Sequence, residues 1–256
     1  MQFTTLLSGS SGNCIYISGN KTKILVDAGC SMRYLQQSLA KCDCIPEQIA
    51  AILITHEHSD HISGAAKISR KYGIPIFASR LTWEKFPFYE EFLPCERHIF
   101  EYGMRIGELE LDFFRLSHDA CQPVGMIIEE NGIKLGIITD TGIVTPAMFR
   151  KLTNLNALLI EANHNVDMLR KGAYPLFLKK RISGDEGHLS NKQAGEALTQ
   201  LIGQKTQTIV LAHLSQSNNT PETAYREVMD ILNKNGISAG AITVAPRFSP
   251  HPLIVL

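Results

Sequence analysis

The 256-residue chain has no long apolar run, no excess of either charge and no cysteine framework, and each absence removes a class of protein. No window approaches the roughly 18 uninterrupted apolar residues needed to cross a bilayer. The opening MQFTTLLSGSSGN has no basic stretch followed by an apolar one, so it does not read as a secretory signal, and the expected location is the cytoplasm, with no membrane partner. Six cysteines are too sparse and irregular for a disulfide scaffold, and Cys42 and Cys44 have the wrong spacing for a zinc knuckle; free thiols are expected. Twenty-five basic residues balance 25 acidic ones, so a site for a polyanion has to be local.

What is present is an ordinary globular composition, 44% hydrophobic, with a regular alternation of patterns. Val- and Ile-rich runs at Lys23–Val26, Ala51–Ile54, Gly136–Ile138, Ala157–Ile160 and Thr208–Leu211 predict buried strands. Amphipathic segments at Met32–Ala40, Ile62–Tyr72, Lys192–Leu201 and Glu222–Leu232 predict helices between them, which makes the class α/β. Asn131-Gly132 between Val124–Glu129 and Lys134–Ile138 is a hairpin signal, so the sheet is mixed. Ser190 with Gln193 fits a capping box, and Thr220 before Pro221 marks a second helix start. No linker or repeat divides the chain, and residues 1–256 are read as a single domain with similar halves.

The nine histidines are unevenly placed. Ile52-Leu53-Ile54-Thr55-His56-Glu57-His58-Ser59-Asp60-His61 runs from a buried strand into three imidazoles and a carboxylate, where α/β proteins build their sites. His56 and His58 can point the same way from extended chain, while Asp60 and His61, beyond the bend, can face a second ion. One loop cannot enclose two ions, and His118, Asp140 and His213 each follow an apolar strand run, as further ligands should.

These residues carry a resemblance. Val26-Asp27-Ala28-Gly29, Thr55 to His61, Ser117-His118, Thr139-Asp140-Thr141-Gly142 and Ala212-His213 resemble the five ordered motifs of the metallo-β-lactamase superfamily. The resemblance implies a four-layer αββα sandwich, two mixed β-sheets flanked by helices. It also implies two divalent metal ions, one held by His56, His58 and His118, the other by Asp60, His61 and His213, with Asp140 bridging and Asp27 orienting the site from behind. An aspartate at position 140, where common β-lactamases carry cysteine, implies ester or phosphodiester hydrolysis rather than antibiotic cleavage.

Glu161-Ala162-Asn163 and Gly187-His188-Leu189-Ser190 resemble the nuclease branch containing tRNase Z, which implies a Glu161–His188 proton relay, with Asn163 departing from that branch's threonine. Leu7-Ser8-Gly9-Ser10-Ser11-Gly12-Asn13-Cys14, Glu161-Ala162-Asn163-His164-Asn165 and the stretch from Leu178-Lys179-Lys180-Arg181-Ile182 to Asn191 resemble the YycJ/WalJ family, small bacterial proteins associated with DNA exonuclease activity.

The expected function is therefore a dinuclear metal-dependent phosphodiesterase, a DNA exonuclease with a hydroxide shared by the ions as attacking group. His188, Glu161 and Asp60 are its catalytic residues. Histidine and oxygen donors without thiolate suit zinc, manganese or iron. Between Arg170 and Ile182 stand five cations, Arg170, Lys171, Lys179, Lys180 and Arg181, without an acid, interleaved with Tyr174 and Phe177. The run is either a solvated loop or a nucleic-acid groove, with Lys179, Lys180, Arg181, Asn163 and His164 as substrate contacts. The Ser8–Asn13 turn either presents amides to phosphate or simply closes a hairpin. Cys30 and Cys121 are read as packing groups, and His98 and His251 fit no pattern. A small-molecule phosphodiesterase, a lactonase or thioesterase, or a non-catalytic metal-binding regulator are the alternatives; an enclosed apolar pocket favours the small-molecule enzymes.

Overall fold

The apolar runs become strands whose ends converge on one edge of the molecule. A computed structural model describes residues 1–86 and 97–256. The first half contributes β1 (Gln2–Leu7), β2 (Cys14–Ser18), β3 (Lys23–Val26), β4 (Ile49–Leu53), β5 (Ile76–Ala78) and β6 (Arg97–Ile99). Then follow β7 (Gly103–Ile106), β8 (Leu109–Arg115), β9 (Val124–Glu130), β10 (Ile133–Ile138), β11 (Ala157–Glu161), β12 (Thr208–Ala212), β13 (Ala241–Val244) and β14 (Ile254–Val255). They form two seven-stranded sheets, β14-β1-β2-β3-β4-β5-β6 and β13-β12-β11-β10-β9-β8-β7.

Each half begins as an antiparallel meander and continues as parallel strands. β1, β2 and β3 pair antiparallel before β3, β4, β5 and β6 run parallel, and β7 to β10 pair antiparallel before β10 to β13 run parallel. The hairpin between β9 and β10 turns through Asn131 and Gly132 at φ 51° and 82°, as its tight turn requires.

Phe3, Ile15, Val26 and Leu53 from the first sheet share one buried cluster with Met126, Leu135, Leu159 and Val210 from the second, so the sheets pack face to face. The outer faces are covered by α1 (Met32–Ala40), α2 (Ser59–Ile62), α3 (Ala65–Tyr72) and α4 (Arg80–Lys85) on one side. On the other lie α5 (Pro146–Leu152), α6 (Val166–Lys171), α7 (Leu176–Ile182), α8 (Asn191–Leu201) and α9 (Pro221–Lys234), of which α5, α8 and α9 fill the second outer core. This is the expected αββα sandwich.

Two local expectations needed revision. The segment Ile62–Tyr72 is split into α2 and α3 at Ser63-Gly64, because the chain passes so near the Cys30 carbonyl that a Cβ on Gly64 would lie 1.9 Å from its oxygen. The basic run from Arg170 to Ile182 is helical over most of its length rather than a loop, ending α6 and forming most of α7. Both cap signals hold: Ser190 and Gln193 exchange hydrogen bonds at 2.9 and 3.2 Å, and Thr220 Oγ1 accepts from Thr223 N at 3.1 Å. Cys14, Cys30, Cys42, Cys44 and Cys121 are free thiols, while Cys95 lies outside the described residues. No helix among the described residues is long and apolar enough to cross a membrane.

Candidate active site

Parallel strands in neighbouring register end together, and the residues just beyond β3, β4, β10, β11 and β12 therefore meet at one edge. Asp27, Asp140 and His213 follow three of these strands and all hold left-handed backbone, φ 61°, 60° and 55°. Such conformations cost about 1–3 kcal/mol each in side chains other than glycine and persist where the surroundings enforce them. Here the enforcement is visible. Asp27 N donates to the Leu53 carbonyl and Ala28 N to the His61 carbonyl, and a Cβ on Gly29 would stand 1.6 Å from the Asp60 carbonyl oxygen. The Asp27–Gly29 turn is thus clamped onto the histidine loop.

The polar side chains form groups able to hold cations. His56, His58 and His118 bring one nitrogen each within 4.8 Å of one another, as do the ligand atoms of Asp60, His61 and His213. Asp140 stands between them, with Oδ2 3.4 Å from His61 Nε2 and Oδ1 4.0 Å from His118 Nε2. His56 Nε2, His213 Nε2 and Asp140 Oδ2 are buried with no hydrogen-bond partner, a costly arrangement for protein atoms alone and the one a cation relieves.

Four of the imidazoles, those of His56, His61, His118 and His213, are aimed by a partner on the other nitrogen. His61 Nδ1 donates to Asp27 Oδ2 at 2.7 Å, while Asp27 Oδ1 accepts from Thr55 N at 2.9 Å. His118 Nδ1 donates to the Gly187 carbonyl at 3.0 Å, His56 Nδ1 contacts Thr55 Oγ1 at 3.1 Å, and His213 Nδ1 donates to Glu161 Oε1 at 2.8 Å. Glu161 is fully buried and accepts from four donors: His213, His188 Nδ1 at 2.7 Å, Thr141 N at 3.0 Å and Leu189 N at 3.3 Å.

Charge follows from this wiring. Burial opposes ionisation of Glu161, yet the His188 and His213 imidazoles hold its carboxyl well below the usual range. Burial likewise disfavours a charged His188, but Glu161 and Asp140 outweigh it and raise the imidazole above its usual value. His213 is pushed up to about 10 by Asp140, Asp60 and Glu161 against the effect of burial. His56 moves down, through burial and the neighbouring imidazoles.

The site opens into a cleft of about 220 Å³ whose walls include His58, Asp60, His118, Asp140, His188 and His213. Asn163 lines it and donates Nδ2 to the His213 carbonyl at 3.0 Å. Arg181 also lines it, held by Asp119 through bonds of 2.5 and 3.0 Å. Lys179 and Lys180 do not: they line a separate groove beyond α7, and the buried His164 faces that groove as well. Helical rotation turns 181 away from 179 and 180, so the basic run faces two ways.

Several residues at the site escaped sequence reading. Asn13 fixes its amide by accepting from Gly9 N at 2.9 Å and donates Nδ2 to Asp60 Oδ2 at 3.1 Å. Ser8 Oγ accepts from His213 N at 2.9 Å, and Ser10 lines the cleft, so the Ser8–Asn13 turn both closes the β1–β2 hairpin and reaches the site. Glu57 points away and accepts from Cys121 N at 2.7 Å, bracing the loop that carries His118. Asp119 Oδ1 lies 3.5 Å from His118 Nε2, and its signal was only its place beside a histidine already singled out. The remaining histidines are structural: His98 of β6 stacks on Phe77 of β5, and His251 Nε2 meets Thr243 Oγ1 at 3.0 Å.

Known proteins resemble this chain in sequence and in fold. The model of the Beta-lactamase superfamily domain matches residues 22–214. "Exodeoxyribonuclease YycJ" of Bacillus anthracis is 38% identical over 94% of this chain and 92% of its own, and "Exodeoxyribonuclease WalJ" of Streptococcus pneumoniae is 39% identical over 93% and 91%. Zinc-bound PqqB from Methylobacterium extorquens superposes with a TM-score of 0.76 at 16% identity over the full length of both chains, a likeness of fold. The chain belongs to the metallo-β-lactamase superfamily and, within it, to the family of the YycJ and WalJ proteins.

Proposed function

We propose that this protein is a dinuclear metal-dependent exodeoxyribonuclease that works in the cytoplasm as a single domain. The observation that carries the reading is the meeting, in one polar cleft, of two cation-binding groups with a histidine backed by a buried glutamate. Its small polar walls are not the enclosed apolar pocket that a lactonase or small-molecule esterase needs. The curated relatives' names specify the same activity.

His56, His58 and His118 would hold one ion and Asp60, His61 and His213 the other, with Asp140 serving both. Zinc, manganese and iron all suit imidazole and carboxylate donors. When bound, such ions withdraw charge from a phosphoryl group and make water a better nucleophile near neutral pH. The chain's own residues do the rest. Asp27, Thr55, the Gly187 carbonyl and Glu161 fix the imidazoles, so no reorganisation is needed when substrate arrives. His188, with Nδ1 tied to Glu161, has Nε2 to give a proton to the departing oxygen. Arg181 binds a phosphate beside the scissile one, and Asn163 holds the wall that carries His213.

The test offers metal-reconstituted protein end-labelled duplex DNA, single-stranded DNA and RNA, with bis(p-nitrophenyl) phosphate and a lactone alongside. Stepwise shortening of DNA from one end, abolished by Asp60→Ala, is expected. Hydrolysis of the lactone alone, or full activity in Asp60→Ala, overturns the reading.

A further inference from the structure

Helix α7 is a wall between two clefts of different character. Leu178, Arg181 and Ile182 turn toward the metal-ligand cleft, whereas Leu176, Lys179, Lys180 and Ser183 line a larger groove of about 510 Å³ on the opposite side. The two sets follow helical spacing on opposite faces. The far groove carries Arg170, Lys179, Lys180 and Lys192 among the apolar Val166, Leu169 and Leu176. Arg170 pairs with Asp167, Lys192 with Glu196, and Lys179 Nζ donates to the Arg170 carbonyl, while Lys180 makes no ion pair among the described residues. At the start of the wall Leu176 and Phe177 are 76% and 73% exposed, and no other two adjacent large apolar residues are both exposed among the described residues. A chain with no net charge thus concentrates cations across a thin helix from its reactive cleft and crowns that helix with a bare aromatic ring.

These features suit a substrate with two phosphate backbones and a stacked end. Resting on the nuclease reading above, we infer that α7 is a strand-separating wedge: the strand to be cut enters the cleft at Arg181, the complementary strand lies in the groove of Arg170, Lys179, Lys180 and Lys192, and Leu176 and Phe177 pack against the terminal base pair. A helix with its side chains is about 10 Å wide, enough to hold the strands of a duplex apart, and aromatic stacking compensates for an opened pair. The groove's cations neutralise phosphates without reading bases, so the wedge has no sequence preference.

The experiment compares wild type, Phe177→Ala and Lys192→Glu on a blunt duplex, the same duplex with four unpaired terminal nucleotides, and the single strand. Both side chains are exposed, so the variants keep the fold. Phe177→Ala is expected to lower the blunt-duplex rate at least tenfold relative to the single-strand rate and to recover on the frayed duplex. Lys192→Glu is expected to lower both duplex rates relative to single strand, with a shallower salt dependence. Equal losses on duplex and single strand, or no loss, overturn the wedge while leaving the nuclease intact. A wild-type protein that cleaves bis(p-nitrophenyl) phosphate and none of the nucleic acids overturns both.

Discussion

Glu161 Oε1 accepts from His213 Nδ1 at 2.8 Å, and the same oxygen accepts from His188 Nδ1 at 2.7 Å. A single buried carboxylate therefore joins a residue suited to hold a cation to a residue suited to move a proton. The two roles separate on mutation. His188→Ala is expected to lower kcat by about 100-fold or more, the usual scale of lost acid catalysis, with full metal content. Glu161→Gln is expected to lower kcat comparably and to weaken one ion by about 10–100-fold. Metal stoichiometry measured beside kcat decides the matter; normal loading of Glu161→Gln would show that His213 does not depend on it.

Asp27 offers a matching test on the other face. It does not line the cleft but fixes His61 and Thr55. Asp27→Ala is expected to lower affinity for the ion held by His61 by about 10–100-fold and to spare the ion at His56, His58 and His118. A chelator titration followed by elemental analysis checks this; simultaneous loss of both ions counts against separate sites.

Metal uptake is expected to release protons. In the ion-free protein His213 is raised to about 10 from 6.5, so at pH 8 it carries a proton that the unfolded chain has lost. Its contribution to stability is complete below about pH 6.5 and is lost as pH rises through about 10. A cation must displace that proton, so affinity rises with pH across this window. Calorimetric titrations in buffers of different ionisation enthalpy measure the count, and identical heats in every buffer contradict it.

His164 works with the opposite sign. Burial holds it down to about 4, against the pull of Glu161, so between about pH 6.5 and 4 the unfolded chain binds a proton that the fold refuses. Stability present above pH 6.5 is progressively lost toward pH 4, by up to about 3 kcal/mol. His164→Gln is expected to flatten this portion of the acid dependence in urea titrations at pH 7 and 4.5.

Arg181 faces the cleft with a guanidinium that Asp119 already orients. Arg181→Ala is expected to raise KM for DNA and reduce the slope of log affinity against log salt by about one, with little change in hydrolysis of a small phosphodiester. An unchanged salt slope removes Arg181 from the binding surface.

The clustering of the candidate ligands was legible because its signals are local: strand ends are marked by apolar runs, and His56, His58, Asp60 and His61 crowd a single loop. Asn13 and Asp119 were not legible, since an asparagine in a serine-glycine turn and an aspartate after a histidine are ordinary until folding brings them to Asp60 and Arg181. The basic run showed its charge in sequence but not its two directions.

Alternating strand and helix patterns, the hairpin at Asn131-Gly132, the helix caps and the types of chemical group at the strand ends were determined by the sequence itself, through backbone preference and hydrophobic period. Only the tertiary structure decided which nitrogen of each imidazole faces the cleft, that Glu161 serves two histidines, and that α7 separates Arg181 from Lys179 and Lys180. Those outcomes depend on sheet register and helix rotation, which at this site bring together groups 205 residues apart, Ser8 and His213, and no local pattern records that alignment.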